Sequence, residues 1–129
     1  QFMIGNTDWA ISEVRNVYCL RPNNGGKIRV IPYDFDFSGL VNAPYAIPSK
    51  QTGLSNVRER LLLAEGISDA SLQNAWQVFM RTHTSLMAMC DHALLPPKSR
   101  DYMKAYLDKF FQTIGDGATI PTRIKGNLR

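Results

Sequence analysis

Apolar and polar positions are patterned differently in the two halves of the chain. Residues 16–21 (NVYCLR) and 27–35 (KIRVIPYDF) are rich in β-branched and aromatic residues. They read as two strands around PNNGG (22–26), where Asn and Gly tolerate the positive φ of a tight turn. Pro32 lacks an amide donor, which places the second strand at an edge or at its end. The stretch 41–53, with two prolines and a glycine, reads as an irregular connector. From residue 55 onward the period becomes helical. Segment 55–66 has Ser55 or Asn56 as a cap and Gly66 as a stop. In 68–95, Leu72, Trp76, Phe79, Met80, His83, Met87, Cys90 and Leu94 recur at three- and four-residue intervals, and Pro96 and Pro97 end the run. In 98–117 the same period runs through Met103, Leu107, Phe110, Phe111 and Ile114 and stops at Gly115. Tyr102 and Tyr106 fall at the edge of that stripe. The expected fold is α+β, a short hairpin followed by a helical lobe of about three helices.

Length makes this one domain over 1–129, with a hairpin and loop part (1–50), a helical part (51–117) and a basic tail (118–129). The opening QFMIGNTDW has no initiator Met and no signal-peptide pattern, so the chain is read as a C-terminal fragment of a longer protein. A net charge of +4, with scattered Lys and Arg, argues against a nucleic-acid groove and leaves anionic small molecules open. No apolar run is long enough for a membrane span. Cys19 and Cys90 lack metal spacing and read as two buried thiols, with a single disulfide left open. The Met and aromatic stripes, His83 included, are explained by helix packing.

Candidate chemistry is concentrated upstream. IPYDFDFSG (31–39) sets Asp34 and Asp36 inside an apolar run. In an extended chain they point to one side, with Cα atoms roughly 6–7 Å apart, and Tyr33, Phe35 and Phe37 point to the other. Two such carboxylates can hold a hard cation, or they can mark where a strand ends in a turn. Asp8, in IGNTDW (4–9), reads either as a general base or as a turn residue bonded to its own backbone. Asn16, at the strand entry, reads as a metal ligand or a loop amide.

The order loop Asp, Asn, hairpin, Asp is that of the kinase phosphoryl-transfer machinery. Over roughly residues 3–47, MIGNTDW, RNVYCL and IPYDFDFSGLVNAPYA resemble the catalytic segment of atypical protein-kinase-like proteins, of the spore-coat CotH type and the HipA toxin-kinase type. The segment is also similar to bacterial proteins, notably of Bacteroidetes, that share GNTDW and PYDFDFSGLVN. The resemblance implies Asp8 as catalytic base, Asn16 and Asp34 as Mg²⁺ and nucleotide ligands, and Asp36 as a secondary metal ligand. It implies Mg²⁺ and ATP as cofactors, a missing N-terminal lobe as partner and an unspecified phosphoryl acceptor. Three departures stand against it. Seven residues separate Asp8 from Asn16 where the protein-kinase pattern has four, the basic or His residue usual beside the catalytic Asp is absent although Arg15 precedes Asn16, and no Gly-rich loop or phosphate-anchoring Lys has a counterpart. They leave a degenerate binding or scaffolding module as the alternative. A phosphohydrolase built on Asp34 and Asp36 is a weaker one.

Overall fold

A computed structural model describes residues 1–63 and 66–115, and the backbone of 122–123. The fold is α+β: a two-stranded antiparallel hairpin, β1 (Val17–Leu20) and β2 (Arg29–Pro32), followed by two helices, α1 (Asp69–Met89) and α2 (Pro97–Gly115). Short strands β3 (Leu62–Leu63) and β4 (Thr122–Arg123) pair in parallel before and after the helices. The chain forms two compact units, Gln1–Arg60 and Leu61–Arg129.

In the first unit the hairpin registers Val17 against Pro32 and Leu20 against Arg29. Its tip turns where the Gly25 N–H donates to the Pro22 carbonyl at 3.1 Å, with Gly25 at φ 76°. Pro32 ends β2 in a sheet of only two strands, so its missing N–H costs no ladder bond to a third strand. Only Val17 of the paired residues is buried, and it joins Phe2, Ala10 and Val57 in the unit's small core.

In the second unit, the Ser68 hydroxyl caps α1 by accepting the Ser71 N–H at 3.2 Å. α2 starts at Pro97, whose fixed φ and absent donor suit a first helical position. Trp76, Phe79, Phe110 and Phe111 meet edge to face or tilted, with centroids 5.2–6.4 Å apart. His83 stands edge-on to the Phe111 ring at 4.2 Å, in a packing role.

Several details differ from the sequence expectations. Residues 55–63 do not form a helix. Asn56 caps a single turn, its Oδ1 accepting the Arg58 N–H and its carbonyl accepting the Glu59 N–H, and the chain then extends into β3. The local cap signal is real, but pairing with β4 takes the residues beyond it. α1 ends at Cys90 rather than at the prolines. Turns over residues 90–95 lead to α2, leaving Leu94 87% exposed and off the core face. Tyr106 is buried rather than at the stripe's edge. Both cysteines are free, and Cys19 is exposed, like every paired hairpin residue except Val17; only Cys90 is a buried thiol, and that burial pushes its pKa up. The basic tail lies outside the described residues apart from the backbone of Thr122–Arg123. Among the described residues no helix is long and apolar enough to cross a membrane.

Candidate functional site

Four loop segments of the first unit bring the predicted residues together. The first is the GNTD loop. Asn6 is buried, and its Oδ1 accepts the Asp8 N–H at 2.8 Å, a side-chain-closed turn that sets the direction in which Asp8 leaves the backbone. The second is a reversal between Asp8 and Asn16. Ala10 and Arg15 pair as an isolated antiparallel bridge with mutual hydrogen bonds of 3.0 and 2.9 Å, and residues 11–14 project as an exposed turn. Val14 takes φ 50° to close it. The seven intervening residues are therefore absorbed, and Asn16 returns to Asp8. Its Nδ2 donates to the Asp8 carbonyl at 2.8 Å and to Asp8 Oδ2 at 3.0 Å. Two acceptors on that side fix the amide's orientation and turn Oδ1 away from Asp8. Arg15 adds an ion pair to Asp8 Oδ1 at 3.6 Å.

The third segment is the end of the hairpin. The Tyr33 N–H donates to the Asn16 carbonyl at 3.0 Å, which carries the ladder one residue past β2 and sets Asn16 beside the entry to Asp34. Asp34 then takes φ 57°, and the chain leaves the strand. Strand alternation is thus not what pairs the acids: β2 ends at Pro32, and a turn closed by Ser38 N–H to Phe35 O at 2.9 Å carries Asp36. The two carboxyls are nonetheless close enough to share a proton when one of them is protonated. That shared proton and the Asp36 charge raise the Asp34 pKa above the ordinary aspartate value, helped by slight desolvation and by the charge of Asp8. All three acids therefore share one electrostatic neighbourhood.

The fourth segment ties the first and third. Gly39 N–H donates to Gly5 O at 3.2 Å and Leu40 N–H to Ile4 O at 3.0 Å, so the GNTD loop lies alongside the residues after Asp36. Buried Ser38 holds the bend, its Oγ accepting the Val41 N–H. Tyr45 joins the site without a sequence signal. Its hydroxyl donates to Asp36 Oδ2 at 3.1 Å, and this bond, with the Asp36 charge, raises the phenol's pKa. Nothing local in the sequence marks a partner nine residues away. The Asn6 turn was legible, since an Asx residue two positions before an amide is the ordinary spacing for that bond.

Asp34 and Asp36 carry carboxylate oxygens and Asn16 an amide oxygen, donor types that a hard divalent cation accepts alongside water or phosphate. Among the described residues no group of three or more His, Cys, Asp or Glu converges at metal-holding separation, so protein carboxylates alone do not enclose an ion. No family model, curated protein or solved structure matches the chain.

Proposed function

We propose that this chain carries the catalytic-loop half of a Mg²⁺- and ATP-dependent kinase-like phosphotransferase. The observation that supports it is the convergence of Asp8, Asn16, Asp34 and Asp36, with Asn16 bonded to Asp8, its carbonyl accepting the Tyr33 N–H beside Asp34, and the Asp34 and Asp36 carboxyls neighbours. In this reading Asp34, Asp36 and the Asn16 Oδ1 are the side chains that would hold Mg²⁺, which would supply charge neutralisation at the phosphate oxygens. Asp8 orients the acceptor hydroxyl and takes its proton as that oxygen bonds to the γ-phosphorus. The bond from that phosphorus to the diphosphate breaks, and ADP leaves with the electron pair. Arg15 and the Asn16 amide hold the Asp8 carboxylate in one direction, and Asn6 fixes the backbone beneath it.

The test is Asp34→Ala in the protein as encoded. Transfer from γ-labelled ATP should fall by at least about two orders of magnitude, as for loss of a group that stabilises transition-state charge. Intact nucleotide binding and transfer in that variant would sink the assignment.

A second reading, a non-catalytic binding or scaffolding module, is favoured by one observation. Asp8 is already engaged by Asn16 and Arg15, as a purely structural acid would be. Calorimetry separates the two, because tight Mg-ATP binding by the intact protein speaks against the scaffold.

A further inference from the structure

We propose that the open cleft beside Asp8 is the acceptor subsite of this phosphotransferase, and that Lys50 selects an alcohol carrying an anionic group near its hydroxyl. The inference rests on the phosphotransferase reading above.

The cleft has a volume of about 410 Å³ and is lined by Asp8, Phe37, Ile47, Pro48 and Lys50 among others. That volume is within the range of small-ligand sites. Asp8 lines it, so the cleft offers an acceptor hydroxyl a place beside that side chain. The rest of the lining is chemically divided. Phe37, Ile47 and Pro48 form an apolar wall for a carbon skeleton, and Ile47 is 73% exposed, a large apolar side chain facing solvent on a connector. Among the described residues, Lys50 is the cleft's only cation.

Its backbone is held in place. Lys50 opens a 3₁₀ turn, Lys50–Thr52, in which the Thr52 N–H and hydroxyl both donate to the Ser49 carbonyl, at 2.9 and 2.6 Å. Gly53, at φ 72°, closes the turn by donating to the Lys50 carbonyl. Among the described residues the Lys50 ammonium has no ion-pair partner, whereas Arg15 faces both Asp8 and Glu13 at 3.6 Å. Arg15 offsets only part of the Asp8 charge, since it also faces Glu13, and Lys50 is the cation that the cleft itself presents to an anionic group. An acceptor with a carboxylate or phosphate gains from Lys50, and a cationic one is disfavoured by it. The same chemistry can come from a free hydroxy acid or from a serine flanked by acidic residues.

The experiment uses the protein as encoded, Mg²⁺ and γ-labelled ATP. The acceptors are glycerate, glycerol, and three matched seryl peptides flanked by Asp, Ala or Lys. The anionic member of at least one series should exceed its neutral counterpart about tenfold in kcat/KM, and the series in which it does so identifies the source. Lys50→Glu should raise the KM for that anionic acceptor about tenfold, more than it lowers kcat, and shift peptide preference toward Lys flanks. Lys50→Ala should abolish the discrimination without reversing it. Transfer indifferent to acceptor charge, Mg-ATP binding without labelling of any anionic acceptor, or a preference untouched by Lys50→Glu would each overturn the subsite and leave the kinase reading standing. Failure of the protein to bind Mg-ATP at all overturns both.

Discussion

Asp34 carries the most chemical information of any single residue. It sits at φ 57°, a region that Asp and Asn tolerate better than other non-glycine residues, and its carboxyl neighbours that of Asp36. Asn16 takes the same conformation, at φ 52°, on the neighbouring strand end. Two left-handed residues at the base of one hairpin aim both side chains out of the ladder and into the site. Because the Asp34 pKa is raised, the protonated form is the one the fold favours. The stabilisation from the shared proton is full below the ordinary aspartate value, about 3.9. It is lost as pH rises through the raised value. Carboxyl-resolved NMR should place the Asp34 midpoint above the ordinary range. Asp36→Asn should bring it down, since it removes the partner's charge, and added Mg²⁺ should lower it in the native protein. A midpoint indifferent to both would show that the pair is not a cation site. The identity of these acids was legible from the sequence. Their pairing through a turn was not, because strand alternation and a left-handed kink both bring residues i and i+2 together.

At the scale of elements, the reversal from Ala10 to Arg15 decides whether Asp8 and Asn16 meet. Its weak point is Val14, a β-branched residue at φ 50°, where Cβ crowds the backbone. Val14 is 56% exposed, so its side chain contributes little burial. Val14→Asn should therefore stabilise the protein by about 1 kcal/mol, measured as a raised denaturant midpoint with an unchanged m-value. A destabilised variant would mean that the Val14 side chain packs somewhere its exposure does not suggest. The sequence carried no sign of this turn, since ISEV contains neither Gly nor Asn. Elsewhere the elements were easier to read. The hairpin and both long helices follow from period and turn chemistry, and Trp76, Leu107, Phe110, Phe111 and Ile114 are buried as their spacing implies. The clearest failure has a long-range cause. Residues 55–63 have a helical start, but a strand pairing distant in sequence sets the conformation of Leu62 and Leu63, and local pattern does not encode distant partners.

For the molecule as a whole, the question is how much of a phosphotransferase these 129 residues supply. On the proposed reading the first unit supplies a base candidate in Asp8, three candidate cation donors in Asn16, Asp34 and Asp36, and a cleft beside Asp8. The remaining requirement is grip on the triphosphate and the base, which in kinases comes from a Gly-rich loop and a strand-borne Lys. Among the described residues lining or bonding within the site, the cations are Arg15, turned to Asp8 and Glu13, and Lys50, in the acceptor cleft. Neither is bonded to the Asp34–Asp36 pair, where the phosphates would be held. Without such a grip, positioning is lost, and positioning provides most of the rate in phosphoryl transfer. The 129-residue chain alone should consequently bind Mg²⁺ weakly and transfer no measurable phosphate from ATP to itself or to an acceptor. Chemical-shift perturbation on adding Mg²⁺ should map to Asn16, Asp34 and Asp36. Addition of ATP with Mg²⁺ should extend those shifts little beyond the same three residues. Robust autophosphorylation by this chain would require a phosphate anchor within it, and the basic residues of 118–129 would then be the first to substitute.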